Sequence, residues 1–357
     1  MKKLTVAFTL VVAALGLNLT VQPAVAAGKL TTVPVLLCPH GCGPVAGDTI
    51  LMNQMIKADM PVELLPQETP GYMYNIRKML DESLWKTTAF STEDFIIQLA
   101  YNWGGTPELK EFLPVKVPVR FKLLYGEAWW TQGRFFVTFD PKIKSIADLK
   151  GKRVDLGLRS QSDWGTSAYL LLKYGYGISS ENTTIRFMTP GALTQQLIDG
   201  AADATVTAFG MEPTRSNWLI PAPLRQLEAS GKPLRYLGVD KAVIDKVNKK
   251  FGMSWLYETI PAGTLPGQKE AFGVAAVRCY KAVAPGFPED VSYQLVMEVA
   301  KLGPEMKKLN ALWSIWSPDL MVAGLSDENV DPGANRAYQE LGWWDLTKKY
   351  EKVPLPQ

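Results

Sequence analysis

Residues 145–210 constrain this chain more than any other stretch, because strand and helix signals alternate there without interruption. The segment opens Ser-Ile-Ala-Asp-Leu-Lys-Gly-Lys-Arg-Val-Asp-Leu-Gly, and its end reads as a strand over 153–156. A polar loop closes in Ser162-Asp163-Trp164-Gly165-Thr166, and an apolar helix is expected over 166–174. A strand (184–188), a helix (192–199) and a strand (204–209) follow, with Gly151 and Gly200 placed where helices hand over to strands. This β-α-β-α-β order builds an open α/β lobe on parallel strands. The polar loop meets a helix N-terminus, where free N–H groups and the helix dipole favour a carboxylate or phosphate.

The N-terminal region repeats the grammar. An apolar strand (33–37) runs into the turn-rich loop Cys38-Pro-His-Gly-Cys-Gly-Pro44. A helix is expected from Asp48, with Ile50, Leu51, Met55 and Ile56 on one face. A strand (62–65), a turn at Pro70-Gly71, a helix (74–84) and a strand (87–90) closed by Ser91-Thr92-Glu93-Asp94 come next. Residues 104–118 read as a spacer. Two strands (120–125 and 134–139) flank Gly126-Glu127-Ala-Trp129-Trp130. The remainder reads as a helical region to Gly252, a turn-rich segment (260–268), a strand (272–277) and two helices (289–302 and 305–313).

The N-terminus reads as a leader. Lys2-Lys3 precede an apolar run over 4–19, and Ala24-Val25-Ala26 has the small-x-small pattern of a cleavage site. Residues 1–26 are expected to be a signal peptide, giving a mature protein that starts at Ala27 and lies in the periplasm. No cysteine stands at the cut, and no later apolar run reaches about 18 residues, so neither a lipid anchor nor direct membrane insertion is expected. Losing Lys2 and Lys3 lowers the formal net charge of +3 by two, which leaves no basic field for nucleic acid or anionic lipid. The 357 residues suffice for two domains with real cores, at 47% hydrophobic and 20% charged.

Several blocks, in order, carry a family resemblance: Thr69-Pro-Gly71 with Asn75-Ile-Arg77, Leu124-Tyr-Gly-Glu127, Ile146-Ala-Asp-Leu-Lys-Gly-Lys-Arg-Val154, and Trp164-Gly-Thr166. Leu197-Ile-Asp-Gly-Ala-Ala-Asp-Ala204, Gly210-x-x-Pro213 and Ile260-Pro-Ala-Gly263 with Gly267-Gln268 continue the series, which ends in Pro332-Gly-Ala334 with Tyr338-x-Glu340-x-Gly342. Together they resemble the TAXI-type solute receptors of TRAP transporters. The resemblance implies a periplasmic-binding-protein-like fold of type II: two doubly wound α/β lobes, crossing hinge strands and an interlobe cleft. It implies capture of a small organic acid or amino acid and delivery to TRAP permease subunits, with no catalysis and no cofactor. The lobes are expected at 27–130 plus 256–357 and at 131–255, in a monomer. Four loops depart from the family pattern. Cys38-Pro-His-Gly-Cys-Gly-Pro stands where a glycine-rich loop and Thr-Tyr-Tyr-Pro are usual, and Thr92-Glu93-Asp94 where Gln-Asn-Asp is. Ser162-Asp163-Trp164-Gly165-Thr166 replaces Gly-Ser-Gly-Thr, and Asp331 replaces a histidine.

The candidate ligand-binding residues follow. Ser162, Asp163, Trp164, Gly165 and Thr166 form the proposed anion seat, or else a plain helix cap. Arg159 is either a supplementary charge or a solvated surface residue. Asp163 repels an anion unless it turns away or meets an amine. His40, Gly41, Cys42 and Gly43 line the cleft, with Tyr72, Ser91, Thr92, Glu93, Glu127, Trp129, Thr207 and Phe209 around it; aromatic rings there suit a ligand with a bulky or aromatic part. Cys38, His40 and Cys42, which include the single histidine of the chain, admit three readings: a metal loop, a small disulfide, or simple cleft lining. Enzyme readings fail on the same sparse histidine content, with no nucleophile elbow, phosphate loop or dinucleotide fingerprint. A sensor, a periplasmic enzyme on the same scaffold, or a metal/redox protein remain as alternatives.

Overall fold

A computed structural model describes residues 30–40, 42–102, 107–111, 113, 116–117 and 119–354; the segment expected to be a signal peptide, Gly41 and the side chains of 128–132, including Trp129, lie outside the described residues. The elements run β1 (Thr31–Leu36), α1 (Gly43–Lys57), β2 (Val62–Gln67), α2 (Tyr72–Lys78), β3 (Ala89–Glu93), α3 (Asp94–Asn102), α4 (Pro107–Lys110) and β4 (Lys122–Thr138). Next come β5 (Arg153–Gly157), α5 (Ala168–Leu170), β6 (Thr184–Met188), α6 (Pro190–Ile198), β7 (Ala204–Met211), β8 (Trp218–Leu219) and α7 (Ala222–Ala229). The chain ends with β9 (Arg235–Leu237), α8 (Lys241–Phe251), β10 (Leu256–Ile260), β11 (Phe272–Val283), α9 (Glu289–Leu309), α10 (Pro318–Val322) and α11 (Pro332–Glu340).

The strands form one curled mixed sheet in the order β2-β1-β3-β11-β4-β7-β5-β6. Each end is parallel, as the βαβ grammar requires: β1 pairs with β2 and β3, and β5 with β6 and β7. The ends are joined by two long antiparallel strands, β4 and β11. The last five residues of β11 pair with β3, whereas residues 272–276 of β11 pair with β10. Likewise β4 pairs β7 only beyond Thr131. These two strands therefore belong to both halves, with register shifts at Arg278/Tyr280 and Lys281/Ala282 marking the crossing. This is the expected pair of α/β lobes with crossing strands, formed without a break in the sheet.

Three expectations about elements are corrected. The two strands expected around Gly126 are one 17-residue strand, because β4 must traverse both halves. The two helices expected after Glu289 are a single 21-residue α9 that carries Pro304 inside it. The helix expected from Thr166 begins at Ser162: π-type turns over Ser162–Ser167 and Leu171–Tyr176 flank the short α5, so the polar segment is already the first helical turn. Such wide turns are frequent at functional sites.

Two apolar clusters hold the sheet. The larger spans both halves, from Val33, Leu64 and Phe95 to Leu156, Leu171 and Val247. The smaller joins Phe135, Phe209 and Met211 to Leu197, Leu224, Ile260, Leu265 and Val274 on the opposite side of β4 and β7.

Candidate functional site

A cavity lies where the two halves face each other. Its wall is made by Cys38, Cys42, Gly43, Pro44, Gly71 and Tyr72 on one side, and by Gln161, Ser162, Asp163, Trp164, Pro190, Ala208, Phe209, Pro221 and Pro223 on the other. These residues come from the loop before α1, the start of α2, the helical start after β5, the start of α6, the end of β7 and the turn into α7. Counted as space open to the centre of a water-sized sphere, it measures about 90 Å³. One water needs about 10–15 Å³ on that measure, so the cavity suits a small solute.

The halves also touch beside the cavity. The Ser160 hydroxyl donates to the Pro70 carbonyl at 2.6 Å, and the Met73 N–H donates to the Ser160 carbonyl at 3.3 Å. Gly71 makes this approach possible: its φ of +142° and its closeness to the Ser160 carbonyl both exclude a Cβ.

Of the residues singled out from sequence, Ser162, Asp163, Trp164, Cys42, Gly43, Tyr72 and Phe209 line the cavity, and Cys38 joins them. Cys38 and Cys42 are bonded to each other as a disulfide, which leaves neither sulfur as a thiolate for a metal. His40 is exposed on that loop, its backbone N–H donating to Glu68 at 2.6 Å. Among the described residues no cluster of metal-ligating side chains occurs. Cys279 is free and buried.

The others sit elsewhere. Arg159 turns outward, pairs with Glu111 at 2.8 Å and lies over the Phe187 ring. Thr166 donates its hydroxyl to the Arg159 carbonyl, and Gly165 packs so tightly on the Leu158 carbonyl that a Cβ has no room. Both therefore shape the turn from behind. Ser91, Thr92 and Glu93, read as a cleft loop, are buried residues of β3, because the strand runs directly into α3. Thr207 is buried on β7 with its hydroxyl unpartnered. Glu127 lines a smaller cavity with Asp48, Tyr125, Trp313 and Trp316. Asp331 caps α11 and accepts from the Gly333 and Ala334 N–H groups, away from the cavity. Sequence reading missed the wall residues Pro44, Gly71, Gln161, Pro190, Ala208, Pro221 and Pro223. They come from separate elements, and only packing turns them to one cavity.

A buried ionic layer stretches from the Asp163 side of the cavity through the crossing strands. Arg278 pairs with Asp94 at 2.7 Å. Lys281 pairs with Asp48 at 2.6 Å, donates to the Ser91 hydroxyl at 2.8 Å, and lies 3.1 Å from Glu127, whose other oxygen accepts from the Tyr72 hydroxyl at 3.2 Å. Burial acts to lower Lys281, and the Asp48 and Glu127 carboxylates outweigh it. Arg134 of β4 is buried against the Phe95 and Trp255 rings, with neither terminal nitrogen hydrogen-bonded. Glu93 has one unpartnered oxygen, and burial, reinforced by Asp163, holds its carboxyl well above the usual range. Asp163 is pushed up to about 6 by burial, against the opposing pull of Arg134 and of the nearby Trp164 and Asp163 N–H groups.

Residues 53–342 match the NMT1-like family. The periplasmic binding protein BugD superposes with a TM-score of 0.50 at 11% identity, covering 90% of this chain and 99% of its own. MatC from Rhodopseudomonas palustris, solved with bound malate, gives 0.48 at 14% identity over 89% and 99%. A TctC solute-binding protein from Polaromonas gives 0.42 at 14% over 89% and 98%. At these identities BugD bears on the fold alone, which is the two-lobed α/β fold of a periplasmic binding protein. With most of its length matched, the chain belongs to the NMT1-like family.

Proposed function

We propose that this chain is an exported solute receptor that captures a small organic acid or amino acid between two lobes and delivers it to a TRAP-type permease. The observation that carries the reading is the cavity between the halves, which takes its wall from both halves of the sheet and is closed by the Ser160 contacts. A pocket divided in this way is completed only when the halves approach, so solute and closed state stabilise each other. The TAXI-like motifs support a TRAP partner. Among the described residues no helix is long and apolar enough to cross a membrane, so delivery requires a separate permease.

The lobes are proposed as 27–130 plus 256–357 and 131–255, with one adjustment. β10 and residues 272–276 of β11 pack on the Phe135–Phe209 cluster, so the chain returns to the first lobe near Val277 rather than at Leu256. The ligand-binding set is proposed as Ser162, Asp163, Trp164, Cys42, Gly43, Tyr72 and Phe209.

The test is a thermal-shift and calorimetric screen of the mature protein over organic acids and amino acids, followed by small-angle scattering. A hit that raises Tm and lowers the radius of gyration is expected. Binding without any change in dimensions argues against closure, and the absence of any hit argues against a solute receptor. N-terminal sequencing of exported protein is expected to read from Ala27.

A further inference from the structure

The cavity wall holds no cationic side chain among the described residues. Among the described wall residues Asp163 alone carries a formal charge, and it is negative. Pro44, Pro190, Pro221 and Pro223 have no N–H to donate, so a large part of the wall offers apolar ring surface instead. The helix start that promised an anion seat is occupied from within: the backbone N–H groups of Asp163 and Trp164 and the Trp164 indole act on the Asp163 carboxyl itself. Arg159, the cation nearest in sequence, is spent on Glu111.

Behind the wall, Arg278 is matched by Asp94, and Lys281 lies between Asp48 and Glu127. Arg134 acts on both Glu93 and Asp163, and burial holds the Glu93 carboxyl toward its protonated form. Asp163 is the member of this layer at the cavity wall. Tyr72, Trp164 and Phe209 supply ring faces and edges beside it, and aromatic faces attract cations.

We propose that the solute carries a protonated nitrogen, seated against Asp163, with an apolar or aromatic body against Tyr72, Trp164 and Phe209. This rests on the solute-receptor reading and narrows its ligand class: an ammonium is required, whether on an amine or on an amino acid, and an acid without one is excluded. Asp163 gives the ammonium a charge partner, and the rings of Tyr72, Trp164 and Phe209 give it apolar and cation-attracting surface.

The test compares probes of similar shape on the mature protein by thermal shift and calorimetry: phenethylamine, phenylalanine and 3-phenylpropionate, with malate as a compact diacid. Phenethylamine or phenylalanine is expected to bind, and both acids lacking nitrogen are expected not to. Removing one partner of a buried charge pair typically weakens binding by thirtyfold or more, so Asp163→Asn is expected to lose at least about that factor for the bound probe. Binding of 3-phenylpropionate or malate without the amines overturns the cation assignment and leaves the receptor reading standing. Unchanged amine affinity in Asp163→Asn also overturns it. Silence of every probe, and of a wider panel of both charges, overturns both. If Asp163→Asn does not fold, the contrast between phenethylamine and 3-phenylpropionate on the unmodified protein decides alone.

Discussion

At the scale of single residues, the most consequential side chains are charges placed inside the sheet. Arg278 and Asp94 are both nearly inaccessible, and the guanidinium also donates to the Glu351 carbonyl at 3.0 Å. An ion pair of this kind contributes little net stability compared with a well-packed apolar pair, yet removing one member strands the other. Arg278→Met is therefore expected to destabilise the protein by about 3–5 kcal/mol, read from urea unfolding. The double variant Arg278→Met/Asp94→Leu is expected to recover most of that loss. Equal stability of wild type and Arg278→Met shows that Asp94 finds another partner or a proton. None of this pairing was legible from sequence. Asp94 and Arg278 are 184 positions apart, and no local pattern announces that a strand-end acid will meet an arginine on a crossing strand. The same holds for Arg134, which looks in sequence like an ordinary charge on an otherwise apolar strand.

At the scale of elements, the contact between Pro70-Gly71 at the start of α2 and Ser160 beside the π-type turn joins the two halves. The Gly-turn was visible in the sequence, as was the polar segment that meets it. Their apposition was not, because it depends on how far the two ends of the sheet curl toward each other. A single neutral hydrogen bond contributes about 1 kcal/mol net, so Ser160→Ala is expected to speed ligand dissociation about fivefold in stopped-flow measurements while leaving unfolding nearly unchanged. A larger loss of global stability than of ligand retention shows the contact to be part of the fold rather than of closure. The expected helix at Thr166 also belongs here. The apolar period predicts the helix, but gives the polar residues before it only as a loop. The wide turns from Ser162 carry Asp163 and Trp164 to the cavity wall, and a period of 3.6 gives no signal for such turns.

For the whole molecule, the buried acids set the direction of the pH response. Burial raises Glu93, Asp163 (to about 6), Glu127, Glu298 (to about 7) and Asp331 above their ordinary values. A carboxyl with a raised value in the folded state holds its proton more tightly folded than unfolded. Its contribution is thus gained as pH falls through the folded value, and is complete below the unfolded one. Asp81, Asp148 and Asp203, which hydrogen bonds and nearby charges lower, lose theirs only at more acidic pH. The ligand-free protein is expected to melt about 2–4 °C higher at pH 5.5 than at pH 7.5, followed by calorimetry. A lower Tm at pH 5.5 refutes the picture of uncompensated buried acids.

The α/β class, the order of strands and helices, the two-lobe plan and the motif series were decided by the sequence itself. The class and the element order follow from local hydrophobic period, glycine and proline punctuation, and the preference of βαβ units for parallel pairing, and the two-lobe plan from the resemblance that the motif series carries. The disulfide was one of three readings open at Cys38 and Cys42, and the folded loop selects it. Only the tertiary structure decided that β4 and β11 are single strands shared by both halves, and that acids and bases far apart in sequence meet between them. It alone lined one cavity with four prolines, three aromatic rings and one carboxylate. Local period places each side chain relative to its own element, whereas charge balance in a cavity depends on residues from many elements at once.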